Sequence, residues 1–434
     1  MILHVVQPGD DINNIADRYG ISVTKLIDDN GISNPFDLVL GQVILIVYPL
    51  QTHVVNDGET LVGIAELYGV STMQLLRNNT FLFDRQYIFP GETLVISYDT
   101  KRDLTTNGYV YSFIDLETLK RTLPYLTFIS IFNYTILSKG EIVSYGDDRE
   151  IIQLSKYYGV MPLLMVSTLT TQGDPNLEVE YEILLNEEYQ NKLIESLRNI
   201  LNNSGYVGIN ILINNLNTVN QKLYIELLKR ISIRLNERGA LFFITVNPHI
   251  ETEDHTTTFE TIDYQNISPL VYRLTFLQYT WGINKQAPGP ISSINSIRSF
   301  LDYYTTLAPT DNVSIGKPLI AYDWALPFDP REGYATSMTL NSAITLAREH
   351  NVTIELDETS QTPYFYYYHS LTGELENHVV WFIDGRSVNA LDDLILEYGI
   401  IGSGLWNIMV YYQQMWTLTN ARFNIIKFLP DNLQ

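Results

Sequence analysis

The chain has 434 residues, of which 45% are hydrophobic and 18% are charged, so it is long enough for two or three globular domains. Its formal net charge of −22 argues against nucleic acid or an anionic membrane as a partner, because both attract basic surfaces. The absence of cysteine excludes disulfides and thiolate chemistry, and the seven histidines follow no metal-binding spacing. We therefore expect no metal and no cofactor.

The N-terminal sequence MILHVVQPGD contains neither a basic segment nor an apolar segment of the kind found in signal peptides. No apolar run in the chain is long enough to span a bilayer. We expect synthesis in a cytoplasm without a signal peptide, so that any surface location is reached by another route.

A repeat occupies the first hundred residues. HVVQPGDDINNIADRYGISVTKLIDDNGI begins at His4 and HVVNDGETLVGIAELYGVSTMQLLRNNTF begins at His53. In each copy a short strand is followed by apolar residues at helical spacing, a glycine that ends the helix, and a serine that begins a second helix. A second strand closes each copy, as LGQVILIV and PGETLVIS. The repeat therefore predicts two strand–helix–helix–strand modules, over residues 1–48 and 51–98.

This pattern resembles the LysM module, which binds N-acetylglucosamine chains of peptidoglycan or chitin in a shallow groove. The resemblance implies a groove in the first copy at Gly9, Asp10, Asp11, Ile12, Asn30, Gly31 and Ile32. In the second copy it implies Gly58, Glu59, Thr60, Leu61, Asn79, Thr80 and Phe81. Because Asp11 and Asn13 depart from the family pattern, we expect the second module to bind glycan better. The alternative is that both modules are spacers or assembly modules.

From about residue 104 to residue 434, short apolar strands alternate with amphipathic helices. The predicted strands include LTFISIFNY, YVGINILI, ALFFITVNP, VSIGKPLIAYDW and GIIGSGLWNI. Strands that are each followed by a helix predict a parallel sheet covered by helices, and this length fits an α/β (β/α)₈ barrel. A β-rich stretch at about 352–384 predicts a small α+β insertion.

The segments RTLPYLTFISIFNY, YVGINI, AYDWALPF, HVVWFIDGRS and SGLWNI resemble glycoside hydrolase family 18 in order and spacing. The most similar branch carries LysM modules and acts on the cortex peptidoglycan of bacterial endospores. Family 18 enzymes use the substrate's own acetamide as nucleophile, and a glutamic acid after the fourth strand protonates the leaving oxygen. An aspartate two residues earlier orients the acetamide.

Placed on this chain, the family motif D-G-x-(D/N)-x-D-x-E begins at Val207 and keeps only its glycine and Asn210. The orienting aspartate becomes Leu212 and the acid becomes Asn214. An amide has no dissociable proton near neutral pH, so Asn214 cannot act as a general acid. The stretch NSGYVGINILINNLN contains no Asp or Glu in any register. We therefore expect a chain that is not an enzyme, with Asn210 hydrogen-bonded inside the barrel.

Four further residues match positions where the family lines its sugar subsites: Tyr279, Tyr322, Asp323 and Trp406. We expect Trp406 to be the floor on which an N-acetylglucosamine ring stacks, or else a packed barrel residue. For Asp323 the alternative is that it anchors the insertion. The chain has 30 tyrosines, and the run from Tyr364 to Tyr368 predicts a contact surface for self-association or for other surface proteins.

The sequence thus predicts a catalytically inactive, LysM-bearing family 18 relative that binds glycan or builds structure at the spore coat or exosporium. Two alternatives remain open. One is an active N-acetylglucosaminidase that acts on spore cortex peptidoglycan, and the other is a self-assembling lattice protein that binds no sugar.

Overall fold

The computed structural model describes the chain except for residues 86, 171–172, 254–255, 278–284, 332, 371–374 and 429–434. Two small units precede a closed parallel barrel, which carries an inserted antiparallel sheet. No helix in the described part of the chain has the length and apolar composition needed to cross a bilayer.

Each N-terminal unit has two helices between paired antiparallel strands. The first contains β1 (Ile2–Val5), α1 (Ile12–Tyr19), α2 (Val23–Asn30) and β2 (Val43–Ile46). The second contains β3 (Gln51–Val54), α3 (Leu61–Tyr68), α4 (Thr72–Asn78) and β4 (Thr93–Ser97). Asp11 and Thr60 cap α1 and α3 by accepting hydrogen bonds from main-chain N–H groups. Both helices end at a glycine in the left-handed region, where a side chain would be strained.

The remaining strands and helices follow in chain order. The strands are β5 (Arg102–Tyr111), β6 (Phe128–Ile136), β7 (Ile142–Ser144), β8 (Met161–Ser167), β9 (Gly208–Ile213), β10 (Leu241–Val246), β11 (Glu251–Glu253), β12 (Thr256–Thr258), β13 (Arg273–Phe276), β14 (Val313–Pro318), β15 (Ala321–Leu326), β16 (Thr336–Met338), β17 (Glu355–Asp357), β18 (Thr362–Ser370), β19 (Leu375–Trp381), β20 (Gly402–Trp406) and β21 (Phe423–Ile425). The helices are α5 (Leu116–Thr122), α6 (Arg149–Tyr157), α7 (Leu177–Leu185), α8 (Glu187–Ser204), α9 (Gln221–Asn236), α10 (Tyr264–Ile267), α11 (Ile294–Thr305), α12 (Leu340–Glu349), α13 (Gly385–Glu397) and α14 (Gln413–Arg422).

Eight parallel strands close the barrel in the order β5, β6, β8, β9, β10, β13, β14 and β20, with β20 pairing back to β5. The predicted (β/α)₈ fold is confirmed. At the amino-terminal end of the barrel the rings of Phe128 and Phe243 pack together with Leu163. A polar layer lies above them, and an apolar cluster around Trp406 lies above that. The interior is therefore a filled core, as the fold requires.

The first barrel strand, β5, lies at about residue 104, where the sequence analysis puts the start of the barrel domain. Its polar residues explain why the hydropathy of this segment did not predict a buried strand. Thr106 and Asn107 are both buried, where the Thr106 hydroxyl donates to the Tyr125 carbonyl and the Asn107 amide donates to the Ser130 hydroxyl. Polar groups are tolerated inside a barrel when such partners satisfy them.

The inserted sheet is larger than the predicted range of 352–384. It has five strands in the order β16, β15, β19, β18 and β17, and so begins at Ala321. The apolar run VSIGKPLIAYDW is consequently two strands, of which β14 belongs to the barrel and β15 to the insertion. The hydropathy of a short apolar run does not predict which sheet its residues will join.

The tyrosine-rich run lies on β18 and is not a single surface. Phe365 and Tyr367 are buried in the insertion, whereas Tyr366 and Tyr368 point to solvent. This is the alternation expected of a strand with one buried face. Half of the run therefore packs the inserted sheet, and self-association through the other half remains a prediction.

Both N-terminal modules are fixed to the barrel through α14. The Gln414 side-chain amide donates to Asn30 Oδ1 at 2.8 Å and to the Val43 carbonyl at 2.9 Å. Two turns further along, the side chain of Asn420 accepts from Arg77 Nε at 2.9 Å and donates to Asn78 Oδ1 at 2.7 Å. These side chains are all buried, so the contacts hold the modules in defined positions.

Candidate active site

The carboxyl ends of the eight barrel strands form the face on which barrel enzymes place their active sites. Three residues of interest lie there: Asn214 follows β9, His249 follows β10, and Trp406 ends β20. We refer to this face as the barrel mouth.

The residues aligned with the family motif on β9 lie at successive levels of the barrel. Val207 packs against the apolar layer at the amino-terminal end. Asn210 is fully buried, donates to Ser130 Oγ at 3.0 Å and accepts from Thr245 Oγ1 at 3.0 Å, which is the interior role expected for it. Leu212 lies in the apolar cluster below the mouth. The strand therefore presents no carboxylate to the mouth.

Asn214 occupies the level above Leu212. Its side-chain oxygen Oδ1 is buried and has no hydrogen-bond partner among the described residues. Its main-chain oxygen lies 2.8 Å from Nε2 of His249, which is exposed at the end of the neighbouring strand. A buried carbonyl oxygen without a donor is costly in a folded protein, so this oxygen is free to accept a hydrogen bond from a further donor group.

Trp406 is 5% exposed and belongs to the apolar cluster with Leu212, Met165 and Leu277. Its ring lies 5.5 Å from the ring of Tyr109, measured between centroids. It also lines a cavity of about 250 Å³ beside the carboxyl ends of β14 and β20, together with residues of the insertion. Trp406 is thus packed in the barrel and also borders open space, and its role as the floor for a sugar ring stays a prediction.

Two other predicted sugar-binding residues have contacts inside the inserted sheet or are buried. Tyr322 is 4% exposed, and burial raises its pKa to about 12. The Asp323 carboxylate accepts from Tyr367 Oη at 2.6 Å and is 3.0 Å from Nδ1 of His378, both in the inserted sheet. These contacts lie within the inserted sheet, since Asp323 is itself on β15. Tyr279 lies outside the described residues.

Two carboxyl groups near the mouth do not lie on β9. Asp174, in the loop after β8, is 3.7 Å from Lys285 Nζ, which also lies over the ring of Tyr334. These three residues connect loops from different sides of the mouth. The partly exposed pair contributes little to stability, so its carboxylate is available for other contacts.

Glu180 on α7 lies behind the mouth and is 3% exposed. It accepts hydrogen bonds from the Asn215 and Asn220 amides, each at 3.3 Å, in the loop after β9. Burial raises its pKa, against the lowering effect of Tyr224 and the two amides. Its contacts make Glu180 a positioning residue for the loop that carries Asn214.

The sequence contained no signal for Asp174, Glu180 or His249 as site residues, because the folding of the barrel brings them close to β9.

In the N-terminal modules, the predicted groove residues fall into two groups. Asp10 and Glu59 are held internally: the Asp10 carboxylate is 2.9 Å from His4 Nε2, and the Glu59 carboxylate is 2.7 Å from His53 Nε2. Tyr19 and Tyr68 contact the other nitrogen of the same rings, at 3.1 and 3.0 Å. The repeat contained this histidine–carboxylate–tyrosine arrangement, but its role became visible only in three dimensions.

The amides of Asn30 and Asn79 are also internal. Each donates to two carbonyls and accepts from the main-chain N–H of Leu45 or Val95, which ties the second helix to the second strand. Ile12 is buried as well. Besides Asp10 and Glu59, the predicted groove residues that are exposed or half-buried are Gly9, Asp11, Gly31, Ile32, Gly58, Thr60, Leu61, Thr80 and Phe81.

Comparison with known proteins identifies relatives along the full chain. The cortical fragment-lytic enzyme of Bacillus anthracis is 29% identical over 428 residues, covering 97% of this chain and 98% of the relative. The protein of the same name from Bacillus subtilis (strain 168) is 28% identical over 433 residues, covering 98% and 99%. The crystal structure of the spore cortex-lytic enzyme SleL from Bacillus megaterium QM B1551 is similar, with a TM-score of 0.79, 26% identity and 98% coverage of both chains.

These relatives correct one expectation from the sequence. We expected from Leu212 and Asn214 that the chain is not an enzyme, and that expectation is wrong, since relatives of the same length are named lytic enzymes. The physical reason is that the prediction rested on one strand. The mouth of a barrel is built from eight strand ends and their loops, and residues from several of them can serve one reaction.

The models of two families match the chain. The LysM domain matches residues 4–47 and 53–97. The model of glycosyl hydrolases family 18 matches residues 164–409, more than half of the chain, over the strands that form most of the barrel. This chain therefore belongs to glycosyl hydrolases family 18 and carries two LysM domains ahead of its barrel.

Proposed function

We propose that the chain is a glycoside hydrolase that acts on N-acetylglucosamine-containing glycans of spore cortex peptidoglycan. The observation that carries the proposal is the cavity beside Trp406 at the carboxyl ends of β14 and β20, in a chain that aligns with the cortex-lytic relatives over nearly its whole length. An aromatic ring beside a pocket is suited to the apolar face of a sugar, and polar groups around it set the sugar's orientation.

Cleavage of the glycosidic bond requires a proton for the leaving oxygen, and Asn214 has none to give. We propose His249 as the donor. It is exposed at the end of β10, and its Nε2 lies 2.8 Å from the Asn214 main-chain oxygen. Imidazole is the side chain most often used in general acid–base catalysis. In this mechanism the Nε2–H of His249 stays bonded to the Asn214 main-chain oxygen, and the proton on Nδ1 passes to the leaving oxygen as the acetamide oxygen attacks the anomeric carbon and the glycosidic C–O bond breaks. Water then opens the cyclic intermediate and returns a proton to Nδ1, and the Asn214 side-chain oxygen accepts a hydrogen bond from the sugar.

The experiment is hydrolysis of purified cortex fragments and chromogenic chito-oligosaccharides by the full chain, followed by chromatography of the products. We expect turnover, and we expect His249→Gln to lower kcat by about a hundredfold or more. The matched control is His369→Gln, a substitution of a histidine in the inserted sheet. Intact glycan binding without any turnover of either substrate would refute the proposal.

The spore coat or exosporium as a location, and association with other surface proteins, remain predictions from the sequence. Immunogold labelling of sections through spores would locate the chain in the cortex, coat or exosporium. A hydrolase of cortex glycan is expected at or near the cortex.

A further inference from the structure

The amino-terminal end of the barrel, opposite the mouth, contains a buried arginine. Arg273 is the first residue of β13 and is 3% exposed. Its register neighbour on β10 is Phe243, whose ring packs inside the barrel with Phe128 and Leu163. Phe276, an odd number of residues further along β13, faces the other way, against aromatic rings of α10 and α11. Because side chains alternate along a strand, Arg273 points into the barrel.

The guanidinium of Arg273 lacks a partner in the part of the chain that the structure describes. Its terminal nitrogen Nη1 is fully buried and has no hydrogen-bond partner there. Burial lowers the pKa of Arg273 to about 10, against opposing effects from Tyr272 and Asp311. The Asp311 side chain is exposed, in the loop before β14. The arginine therefore stays charged at neutral pH, and its burial is not relieved by loss of the proton.

A buried charge without a partner is costly, and buried charges in folded proteins are usually paired. Tyr272 relieves only part of this cost. Its ring centroid lies 5.5 Å from the guanidinium carbon, so a cation–π attraction acts on the guanidinium. The N–H groups still need acceptors of their own, since a ring attracts the charge without replacing a directed hydrogen bond. Nη1 consequently keeps donors for an acceptor that comes from outside the described chain.

The surroundings of Arg273 limit the size and kind of such an acceptor. Tyr272 and Phe428 lie at the same end of the barrel and are 42% and 49% exposed. Their ring centroids are 6.2 Å and 5.9 Å from that of Phe128. A ligand that reaches the guanidinium from solvent therefore passes between aromatic rings. This environment favours a small anion, because ion pairing is strong where water is excluded.

We propose that Arg273 binds a small oxyanion, a carboxylate or a phosphate, at the amino-terminal end of the barrel. The oxygens of either group match the planar fork of a guanidinium, and charge-assisted hydrogen bonds of this kind are strong. The chain has a net charge of −22, so attraction of an anion is local to Arg273 and is not a general property of the surface.

This site is separate from glycan binding and from hydrolysis, since it lies at the opposite end of the barrel from Asn214 and His249. An anion that binds the folded barrel and not the unfolded chain stabilises the fold. The expected role of the ligand is therefore to neutralise the buried arginine and to hold the barrel together at this end.

The test is equilibrium dialysis of the full chain against radiolabelled phosphate or acetate at neutral pH, with the ionic strength held constant by sodium chloride. We expect saturable binding of a single ion per chain, and Arg273→Gln should weaken it by at least about tenfold. The matched control is Arg77→Gln. Arg77 is also buried, at 4% exposure, but its Nε donates to Asn420, so this variant should bind the ion as the wild type does.

Arg273→Lys keeps the charge without the planar fork, and it provides a second variant if the glutamine substitution prevents folding. Its affinity should lie between those of the wild type and Arg273→Gln. Binding of acetate alone, or of phosphate alone, would support the site and identify which oxyanion it takes. Absence of saturable binding of both ions to the wild type, or wild-type affinity in Arg273→Gln or Arg273→Lys, would overturn the inference.

Discussion

The two LysM modules share a fold and an internal network, yet they meet the rest of the protein differently. Both contain the histidine–carboxylate–tyrosine arrangement and a buried asparagine that ties helix to strand. In the first module that asparagine, Asn30, also accepts a hydrogen bond from Gln414 of the barrel. In the second, Asn79 has no barrel partner among the described residues, and the contact passes through Asn78 and Arg77 instead.

The modules also differ where they line the cavity of about 400 Å³ between them and the barrel. α2 ends at Gly31 in the left-handed region, whereas α4 ends at Asn79 and continues into a short 3₁₀ helix that carries Phe81. The first module thus gives this cavity a close main-chain contact with Gln413, and the second gives it an aromatic ring.

The largest expected difference between the two modules is the loss of local stability when the buried asparagine of each, Asn30 or Asn79, is replaced. Asn79→Ala leaves three main-chain groups without partners and should lower the local stability of its module by about 3 kcal/mol. Asn30→Ala should cost more, because it also leaves the Gln414 amide with a single acceptor, the Val43 carbonyl. Hydrogen exchange of β2 and β4 amides, read by mass spectrometry, measures both effects.

The control for this comparison is Gln414→Ala in each background. Its effect on the free energy of local unfolding should not add to that of Asn30→Ala but should add to that of Asn79→Ala, since Gln414 contacts only Asn30. Equal losses in both modules, with no coupling to Gln414, would show that the barrel contact adds nothing to the first module.

A smaller difference in stability between the modules is expected when the carboxylates of Asp10 and Glu59 are neutralised. The side chain of Asp10 is 4% exposed and that of Glu59 is 27% exposed. Burial opposes ionisation of Asp10, but the Gln7 N–H, His4 and Arg18 outweigh it and lower the Asp10 pKa below 3.8. The Asn56 N–H and His53 lower the Glu59 pKa below 4.5. Asp10→Asn should therefore cost about 1–2 kcal/mol at neutral pH, and Glu59→Gln less.

The sign of the pH dependence follows from these lowered values. Each carboxylate contributes stability that is present above its ordinary pKa and is lost as the pH falls through its lowered value in the folded state. Acid should weaken both modules, and Asp10→Asn should remove this loss from the first module only. Hydrogen exchange between pH 2.5 and 6, corrected for intrinsic rates, tests the change, and an unaltered acid profile in Asp10→Asn would contradict it.

The smallest difference concerns glycan affinity. Phe81→Ala removes an aromatic surface from the second module, while Ile32→Ala removes a smaller apolar one from the first; both residues line the cavity between the modules and the barrel. We expect a thio-linked N-acetylglucosamine hexamer, which resists cleavage, to lose about tenfold and about twofold in affinity, respectively, as measured by calorimetry. A larger loss in Ile32→Ala would assign the stronger glycan contact to the first module and reverse the prediction from the sequence.

Much of the architecture could be predicted because it depends on local patterns. The repeat beginning at His4 and His53 was enough to predict two βααβ modules, since the caps, glycines and apolar spacings act over one or two turns. The alternation of strands and helices predicted the barrel. β5 was missed because its buried threonines and asparagine look like a loop until their partners are known.

The candidate site could be predicted only in part. The sequence identified Asn214 and Trp406, and both lie at the barrel mouth. It assigned Asp323 to sugar binding or to anchoring, and the structure shows its contacts with Tyr367 and His378 while both roles stay predictions. His249 was not singled out, because it is distant from Asn214 in sequence and reaches it only through neighbouring parallel strands.

The sequence by itself determined the two modules, the barrel, and the absence of a carboxylate along β9, because these follow from residue identity and short-range periodicity. Only the tertiary structure decided what surrounds Asn214 and how the modules meet the barrel. Those features depend on contacts such as Gln414 with Asn30 and His249 with Asn214, which join residues far apart in the chain. The geometry of such contacts is set by how β9, β10 and α14 pack, and no local pattern encodes it.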